Sequence, residues 1–167
     1  RSAALHYAAE CRYRLGEWEP AAEAWIRLLA ASSQDPMARH WAVEGLRKVG
    51  AERPAEVKAV AERLFAAGVL APERMDRETL KELADVLFLV GCYPQAHKAY
   101  DRLFGLTNSL EARLRRNRCL ENMGQRQKAL QDYARTIRET PWLDLIRDRA
   151  SLLQRDEKDL AGRVLRA

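Results

Sequence analysis

The sequence repeats itself at an interval of about 34 residues, and this periodicity constrains the fold more than any other feature. The segment His6–Glu10 reads HYAAE, and the segment His40–Glu44, displaced by 34 positions, reads HWAVE. Self-similarity at a period of roughly 20 to 50 residues is typical of proteins in which one supersecondary unit is repeated and stacked. We therefore expect a series of similar units that bury their apolar faces against one another.

Glycines mark the middle of each unit. These glycines are Gly16, Gly50, Gly91 and Gly124, and each of the four follows an apolar residue. Apolar residues recur at three- to four-residue spacing on both sides of these glycines, which predicts a helix before and a helix after each one. Because glycine readily adopts the left-handed conformation that ends a helix, we expect the chain to reverse at all four positions. Each unit is therefore predicted to be a helical hairpin.

The same pattern predicts ten helices joined mostly by short connections. They span residues 2–15, 20–31, 36–48, 53–67, 77–90, 94–105, 109–123, 126–139, 142–154 and 157–166. The exception is the connection 68–76, which contains Pro72 and lengthens the local repeat by seven positions, so we expect the stacking angle to change there. The sequence has only 8 Gly and 6 Pro in 167 residues, which is fewer than a collagen or a turn-rich β-sandwich requires. The predicted fold class is all-α.

The spacing of small and aromatic residues resembles that of the tetratricopeptide repeat (TPR) family. The third unit carries the resemblance best, through Leu80, Leu83, Ala84, Leu87, Gly91, Tyr93, Ala96 and Tyr100. The fourth unit departs from the pattern, with Arg113, Arg116 and Asn117 where apolar or small residues are expected. The second unit has Glu52 and Ala59 in place of both aromatic residues.

This resemblance implies a domain organisation and a fold. The repeat array would cover residues 2–141, with units near residues 2–35, 36–70, 77–109 and 110–141. Residues 142–167 would form a capping helix or begin a further repeat. The family forms a right-handed α-α superhelix, a solenoid of antiparallel helix pairs, and Trp25, Tyr100 and Tyr133 would be buried between its helices.

The resemblance also implies a function, that of a non-catalytic protein–protein interaction scaffold. Its first helices would line a concave groove for a peptide or a partner subunit, and self-association is left open. The partner-binding positions carried over from the family are His6, Tyr7, Glu10, His40, Trp41, Glu44, Lys81, Asp85, Arg115, Arg118 and Asn122. The same faces also hold Tyr13, Arg47, Lys48, Glu82, Phe88, Glu111 and Glu121. Exposed aromatic and arginine side chains dominate binding hot spots, although the rings of Tyr7 and Trp41 have the alternative of packing between adjacent helices.

The net charge of +5 suggests an alternative partner. All of it lies within residues 110–167, and four of the basic residues crowd one predicted helix as Arg113, Arg115, Arg116 and Arg118. This fourth repeat is an alternative site for an anionic polymer, either a nucleic acid or an acidic polysaccharide, or for assembly of a bacterial envelope or polysaccharide-export machine. Nucleic acid is the less favoured ligand because few aromatic residues interleave the arginines. The simplest interpretation is a solvated helix face.

No motif indicates an enzyme, a cofactor or a metal. The sequence has no GxGxxG, P-loop, HExxH or GxSxG pattern. Its three cysteines form no CxxC pair. The four-residue spacing places His6 beside Glu10 and His40 beside Glu44, and we expect a hydrogen bond within each pair rather than metal ligation.

The sequence says little about the compartment. Unpaired cysteines slightly favour the cytoplasm and leave the periplasm open. The apolar stretches are too short and too interrupted to cross a bilayer, so no membrane insertion is expected. Because the chain starts at Arg1 without a leader, we expect it to be a segment of a larger protein.

Overall fold

The computed structural model describes residues 2–139, Ser151 and Gln154, and this part of the chain is almost entirely helical. Its α-helices are α1 (Ser2–Arg14), α2 (Trp18–Ala30), α3 (Pro36–Glu52), α4 (Pro54–Ala66), α5 (Arg77–Leu89), α6 (Tyr93–Thr107), α7 (Leu110–Asn122) and α8 (Arg126–Glu139). A short 3₁₀ turn occupies Pro72–Arg74, and residues 2–139 contain no strand. The predicted all-α class is confirmed. The helices predicted at 142–154 and 157–166 lie outside the described residues, apart from Ser151 and Gln154, which are helical.

The chain divides into two compact units, Arg1–Cys119 and Leu120–Ala167. In the first unit, most helices pack against the next helix along the chain, and several also pack against the one after it: α1 contacts α3, α2 contacts α4, and α3 contacts α5. In the second unit, α8 buries Ala129, Tyr133 and Thr136. Helices that contact both near neighbours in this way share their burial among several interfaces.

Capping residues and glycines account for most of the helix ends. Asp76 accepts hydrogen bonds from the backbone N–H of Glu78 and of Thr79 at the start of α5, both at 3.0 Å. Positive φ angles of 77°, 78° and 73° follow α1, α5 and α7, and they belong to Gly16, Gly91 and Gly124. Since the left-handed conformation favours glycine, these three residues end their helices as predicted.

Gly50 does not end a helix, and that prediction was wrong. α3 continues through Gly50 to Glu52, and the break comes at Arg53, which has φ −137° and ψ 62°. The reason is Pro54, because a proline disfavours the helical conformation of the residue before it. A Cβ atom on Gly50 would lie 3.0 Å from Val90 Cγ1, so the missing side chain serves close packing of α3 instead.

Because α3 is longer than predicted, the buried positions of α4 do not coincide with those that the 34-residue repeat predicts from α2. Ala55, which the repeat aligns with the buried Ala21, is exposed. The residues that α4 buries are Val57, Val60, Ala61 and Leu64. Val57 and Ala61 therefore occupy, two positions later than predicted, the places that Ala21 and Trp25 hold in α2.

Large aromatic side chains on the even-numbered helices are buried as predicted. Trp25, Tyr100 and Tyr133 are each at most 2% exposed. Each also donates a hydrogen bond to the preceding helix: Trp25 Nε1 to His6 Nδ1 (3.3 Å), Tyr100 OH to Asp85 Oδ1 (2.6 Å) and Tyr133 OH to Glu121 Oε1 (2.6 Å). Burial, and then the bond to the Asp85 carboxylate, raise the pKa of Tyr100 above its ordinary value. The polar atom of each ring is thus satisfied inside its helix pair.

Two helical glycines allow a matched test of the packing. A Cβ atom on Gly45 in α3 would overlap the indole of Trp25, which is fully buried, whereas a Cβ atom on Gly105 in α6 would meet nothing within 4 Å. We expect Gly45→Ala to lower the free energy of unfolding by about 1–3 kcal/mol through overpacking. We expect Gly105→Ala to raise it by about 0.5–1 kcal/mol through helix propensity. Urea denaturation measures both values, and a stabilised Gly45→Ala protein would contradict the contact between α2 and α3.

The cap of α5 should make the stability depend on pH. Burial of the Asp76 carboxyl opposes its ionisation, but hydrogen bonds from Thr79 and Glu78 and the charge of Arg39 outweigh burial and hold its pKa below the ordinary value. Because the folded-state pKa is depressed, the carboxylate stabilises the fold above the pKa of the unfolded chain. This contribution is lost as the pH falls through the folded-state pKa.

We therefore expect Asp76→Ala to lower the free energy of unfolding by about 1–2 kcal/mol at neutral pH, because the helix loses its cap. The difference from the parent protein should shrink as the pH falls below about 4, because the carboxyl of the unfolded chain is protonated first and that of the folded chain only at lower pH. Glu73→Ala, in the exposed 3₁₀ turn, is the control and should stay within about 0.5 kcal/mol. Denaturation curves at neutral and acidic pH provide the measurement. A difference that stays constant down to about pH 2 would show that the carboxylate charge is not involved.

Candidate functional site

Side-chain contacts join the odd-numbered helices of the first unit, beginning with α1 and α3. The His6 ring stacks on the Trp41 ring, with centroids 5.1 Å apart and planes inclined by 19°. At the other end of α1, Tyr13 OH donates to Glu52 Oε1 at 2.5 Å. This hydrogen bond, together with burial and the negative charge of Glu52, raises the pKa of Tyr13. The two helices therefore lie side by side along their length.

The same sideways contacts continue from α3 to α5. Arg39 Nη1 lies 3.4 Å from Thr79 Oγ1 and 3.6 Å from Asp76 Oδ1. One to two turns further along each helix, Arg47 Nη2 lies 3.7 Å from Glu82 Oε2. Exposed ion pairs of this kind add little stability, but they show which faces of the two helices are adjacent.

Phe88 forms the link from α5 to α7. The guanidinium carbons of Arg115 and Arg118 lie 5.8 Å and 6.0 Å from the centroid of its ring. Both distances are within the range of a cation–π interaction, which is roughly 6 Å. Of the predicted groove residues on α1, α3, α5 and α7 in the first unit, eight are exposed. We call these eight residues the odd-helix face, namely Tyr7, His40, Glu44, Arg47, Lys48, Lys81, Glu111 and Arg118.

The predicted site residues of α1 and α3 take different roles. Tyr7 is 65% exposed, whereas Trp41 is half-buried and packs on His6. The expected hydrogen bond between His6 and Glu10 is absent, and that prediction was wrong. His6 accepts from Trp25 on the neighbouring helix, and Glu10 pairs with Arg14 at 3.2 Å, so each side chain has a better-placed partner.

The hydrogen bond predicted between His40 and Glu44 is also absent, so that prediction was wrong, although the two side chains are close. His40 Nε2 lies 3.7 Å from Glu44 Oε2, which is outside hydrogen-bond distance, and Glu44 Oε1 lies 3.8 Å from Lys48 Nζ. All three side chains are largely exposed. Glu44 therefore interacts loosely with two neighbours one turn away in either direction, and His40 is accessible.

The predicted residues Lys81 and Asp85 line one cleft of about 390 Å³ in the first unit. Tyr100, Leu103 and Glu111 form other parts of its wall. The repeat pattern identifies Tyr100 as a core residue and misses that its hydroxyl bonds the cleft residue Asp85. Its spacing relative to Asp85 carries no signal for this contact, because the two residues lie on different helices of the pair.

The four arginines of helix α7 form two pairs that have different surroundings. Arg113 is 6% exposed, and its guanidinium carbon lies 5.6 Å from the centroid of the Phe104 ring. Arg116 lies 5.3 Å from the same centroid and forms an ion pair with Asp101 at 2.7 Å. These two arginines are therefore part of the packing.

Arg115 and Arg118 differ from that pair. Neither forms an ion pair with any residue of the described part of the chain. Arg118 is exposed and Arg115 is half-buried. The predicted residue Asn122 is also exposed but belongs to the second unit.

The three cysteines, which lie in the described part of the chain, have different surroundings. Burial raises the pKa of both Cys92 and Cys119 to about 12, so these thiols are protonated at neutral pH and are poor nucleophiles. Cys11 is exposed and unpaired. Within the described ranges, no group of three or more His, Cys, Asp or Glu side chains is arranged to hold a metal ion.

Comparison with known proteins finds no family model, no curated protein and no solved structure that matches this chain. None of the helices in the described part of the chain combines the length and the apolar character needed to span a bilayer.

The division of α7 into two pairs of arginines can be tested by stability. We expect Arg116→Gln to lower the free energy of unfolding by about 1–2 kcal/mol, because it removes a short ion pair and a contact with Phe104. Arg118→Gln removes the same charge from an exposed position and should change stability by less than about 0.5 kcal/mol. Guanidinium chloride denaturation gives both values. Equal losses in the two variants would mean that α7 does not distinguish these positions.

Proposed function

We propose that this chain is a non-catalytic interaction scaffold of the TPR type and that its odd-helix face binds a segment of a partner protein. The observation that carries the proposal is the series of sideways contacts from α1 through α3 and α5 to α7. These contacts make one extended face out of side chains from four separate helices. A partner segment could contact several helices at once on such a face.

The composition of the odd-helix face supports the same function. It offers an exposed aromatic ring at Tyr7 and long cationic side chains at Arg47 and Arg118. Tyrosine and arginine are enriched among the residues that dominate protein–protein binding energy. Arg47 pairs with Glu82 on the next odd-numbered helix, and Lys48 pairs with Glu44 within α3, so a partner would meet a surface of both charge signs rather than a uniform field.

The proposed solenoid arrangement rests on the pattern of helix contacts in the first unit. Most neighbouring helices pack together, as do the pairs α1 and α3, α2 and α4, and α3 and α5, and three helix ends repeat the glycine turn. In a TPR-type solenoid the first helices of successive pairs would line one side, and here those are α1, α3, α5 and α7. The second pair departs from this regularity, since α3 runs past Gly50.

An anionic polymer is a weaker candidate for the partner. Of the four arginines that suggested it, Arg113 and Arg116 are taken up in packing against Phe104. Only Arg115 and Arg118 remain, and Glu111 is one turn from Arg115 on the same helix. A nucleic acid or acidic polysaccharide needs many cationic contacts for its affinity, because each phosphate or carboxylate contributes through counterion release.

A peptide selection tests the proposed function directly. We expect a random peptide library displayed on phage to yield peptides that bind the purified chain, and Tyr7→Ala to weaken the best of them at least about fivefold. Tyr7 suits this test because it is 65% exposed, so its truncation leaves the core intact. Fluorescence anisotropy of the labelled peptides measures the affinities.

The matched control is Arg102→Ala, on the exposed surface of α6 and outside the odd-helix face. It should leave the affinities within about twofold. Failure to select any peptide, or affinities unaffected by substitutions of Tyr7, Arg47 and Lys81, would remove the odd-helix face as the binding surface.

A further inference from the structure

Phe88 is held in a fixed orientation between α6 and α7. The rings of Tyr93 and Tyr100 meet it edge-on, with centroids 5.6 Å and 6.5 Å from its own and planes inclined by 71° in both cases. Arg115 and Arg118 place their guanidinium groups at the same ring. We call Phe88, Arg115 and Arg118 the Phe88 anchor.

The two guanidinium groups of the anchor have no carboxylate partner in the described part of the chain. Asp85 lies one turn from Phe88, but its carboxylate accepts the hydroxyl hydrogen bond of Tyr100 and forms no ion pair with Arg115. By contrast, Arg116 on the same helix is paired with Asp101 at 2.7 Å. The two arginines at Phe88 therefore remain available to a carboxylate from a ligand.

Their geometry suits a carboxylate. A guanidinium group is planar, stays charged and offers N–H donors in a fork that matches two carboxylate oxygens. Contact with an aromatic ring restricts the arginine side chain before any ligand arrives, so less conformational entropy is lost on binding. Two such groups on one ring form a preorganised pair of donors.

We infer that the Phe88 anchor binds the carboxylate of an aspartate or glutamate side chain in the partner protein. This inference rests on the proposed function and specifies what the odd-helix face recognises. The partner segment carries an acidic residue at one position, and the guanidinium groups of Arg115 and Arg118 receive it.

The surrounding charges favour a protein segment over a polyanion. Asp85 and Glu111 line the cleft beside the anchor, together with Lys81 and the ion pair of Arg77 with Glu78. A chain of closely spaced phosphates laid along this surface would be repelled by both carboxylates, whereas one acidic side chain among neutral or basic residues would not. Like-charge juxtaposition of this kind selects against the wrong partner.

The test compares phage selections from one random peptide library on matched variants. Arg115→Gln with Arg118→Gln removes the two charges of the anchor. Lys98→Gln with Arg102→Gln removes two charges from exposed positions of α6 that have no ion pair in the described ranges, and it is the control. Arg115→Glu with Arg118→Glu reverses the charge of the anchor.

We expect the parent protein and the control to enrich peptides with Asp or Glu at one fixed position. The double glutamine variant should bind these peptides at least about tenfold more weakly. The charge-reversed variant should reject them and select Lys or Arg instead. Replacing the acidic residue of a selected peptide by its amide should weaken binding to the parent protein by a similar factor and should have little further effect on the double glutamine variant.

The outcomes separate this inference from the function on which it rests. Peptides that lack a fixed acidic residue but remain sensitive to Tyr7→Ala would overturn the anchor and leave the scaffold proposal standing. Selection of no peptide at all would remove both. If a 20-nucleotide single-stranded RNA binds the parent protein and loses affinity in the double glutamine variant, while peptides do not, the ligand of the anchor is nucleic acid and the inference is wrong.

Folding of each variant is checked by circular dichroism and thermal melting. If the double glutamine variant does not fold, the amide substitution in the peptide still decides the matter on the parent protein. Unchanged affinity of the amide peptide would then overturn the role of the carboxylate.

Discussion

The buried aromatic ring that an even-numbered helix packs against its predecessor is the interaction on which the rest of the structure depends. A ring the size of tryptophan or tyrosine buries a large apolar area, and its one polar atom must find a partner inside the pair. His6, Asp85 and Glu121 provide that partner for Trp25, Tyr100 and Tyr133. The hydrogen bond favours one rotation of α1, α5 and α7 about their axes, since only one face of each helix can meet the ring. The remaining faces are then available to neighbours and to solvent.

This constraint determines which residues of α5 can take part in recognition. Asp85 lies on the face that meets Tyr100, and its carboxylate is engaged there. Lys81 and Phe88 lie one turn before and one turn after it, so the same rotation brings them to the edge of the cleft and to α7. Tyr100 also contacts Phe88 edge-on, so one core residue positions both the carboxylate and the ring. The site on α5 is thus a consequence of how the helix pair is packed.

The sequence predicts the helices well because their signals are local. Glycine at a turn, aspartate at a cap and apolar spacing along a helix act within a few residues, and the ends of α1, α5 and α7 follow them. It predicts Gly50 wrongly because the residue that decides that helix end is Pro54, and because Gly50 meets Val90 from a helix far along the chain. The four arginines of α7 look equivalent in sequence, and only neighbours on other helices, Phe104 and Asp101, separate them.

The arginines of α7 that pack against α6 are therefore different from those that we propose to bind a partner. Arg113 and Arg116 lie where α7 packs against α6, so their charges are desolvated and need their partners in the folded chain. Arg118 is exposed and Arg115 is half-buried, and both rest on Phe88 without a carboxylate partner in the described part of the chain. An arginine that is oriented by a ring but still hydrated can accept a carboxylate from outside without destabilising the free protein. The recognition proposed for this helix therefore uses the two arginines that form no ion pair in the described part of the chain.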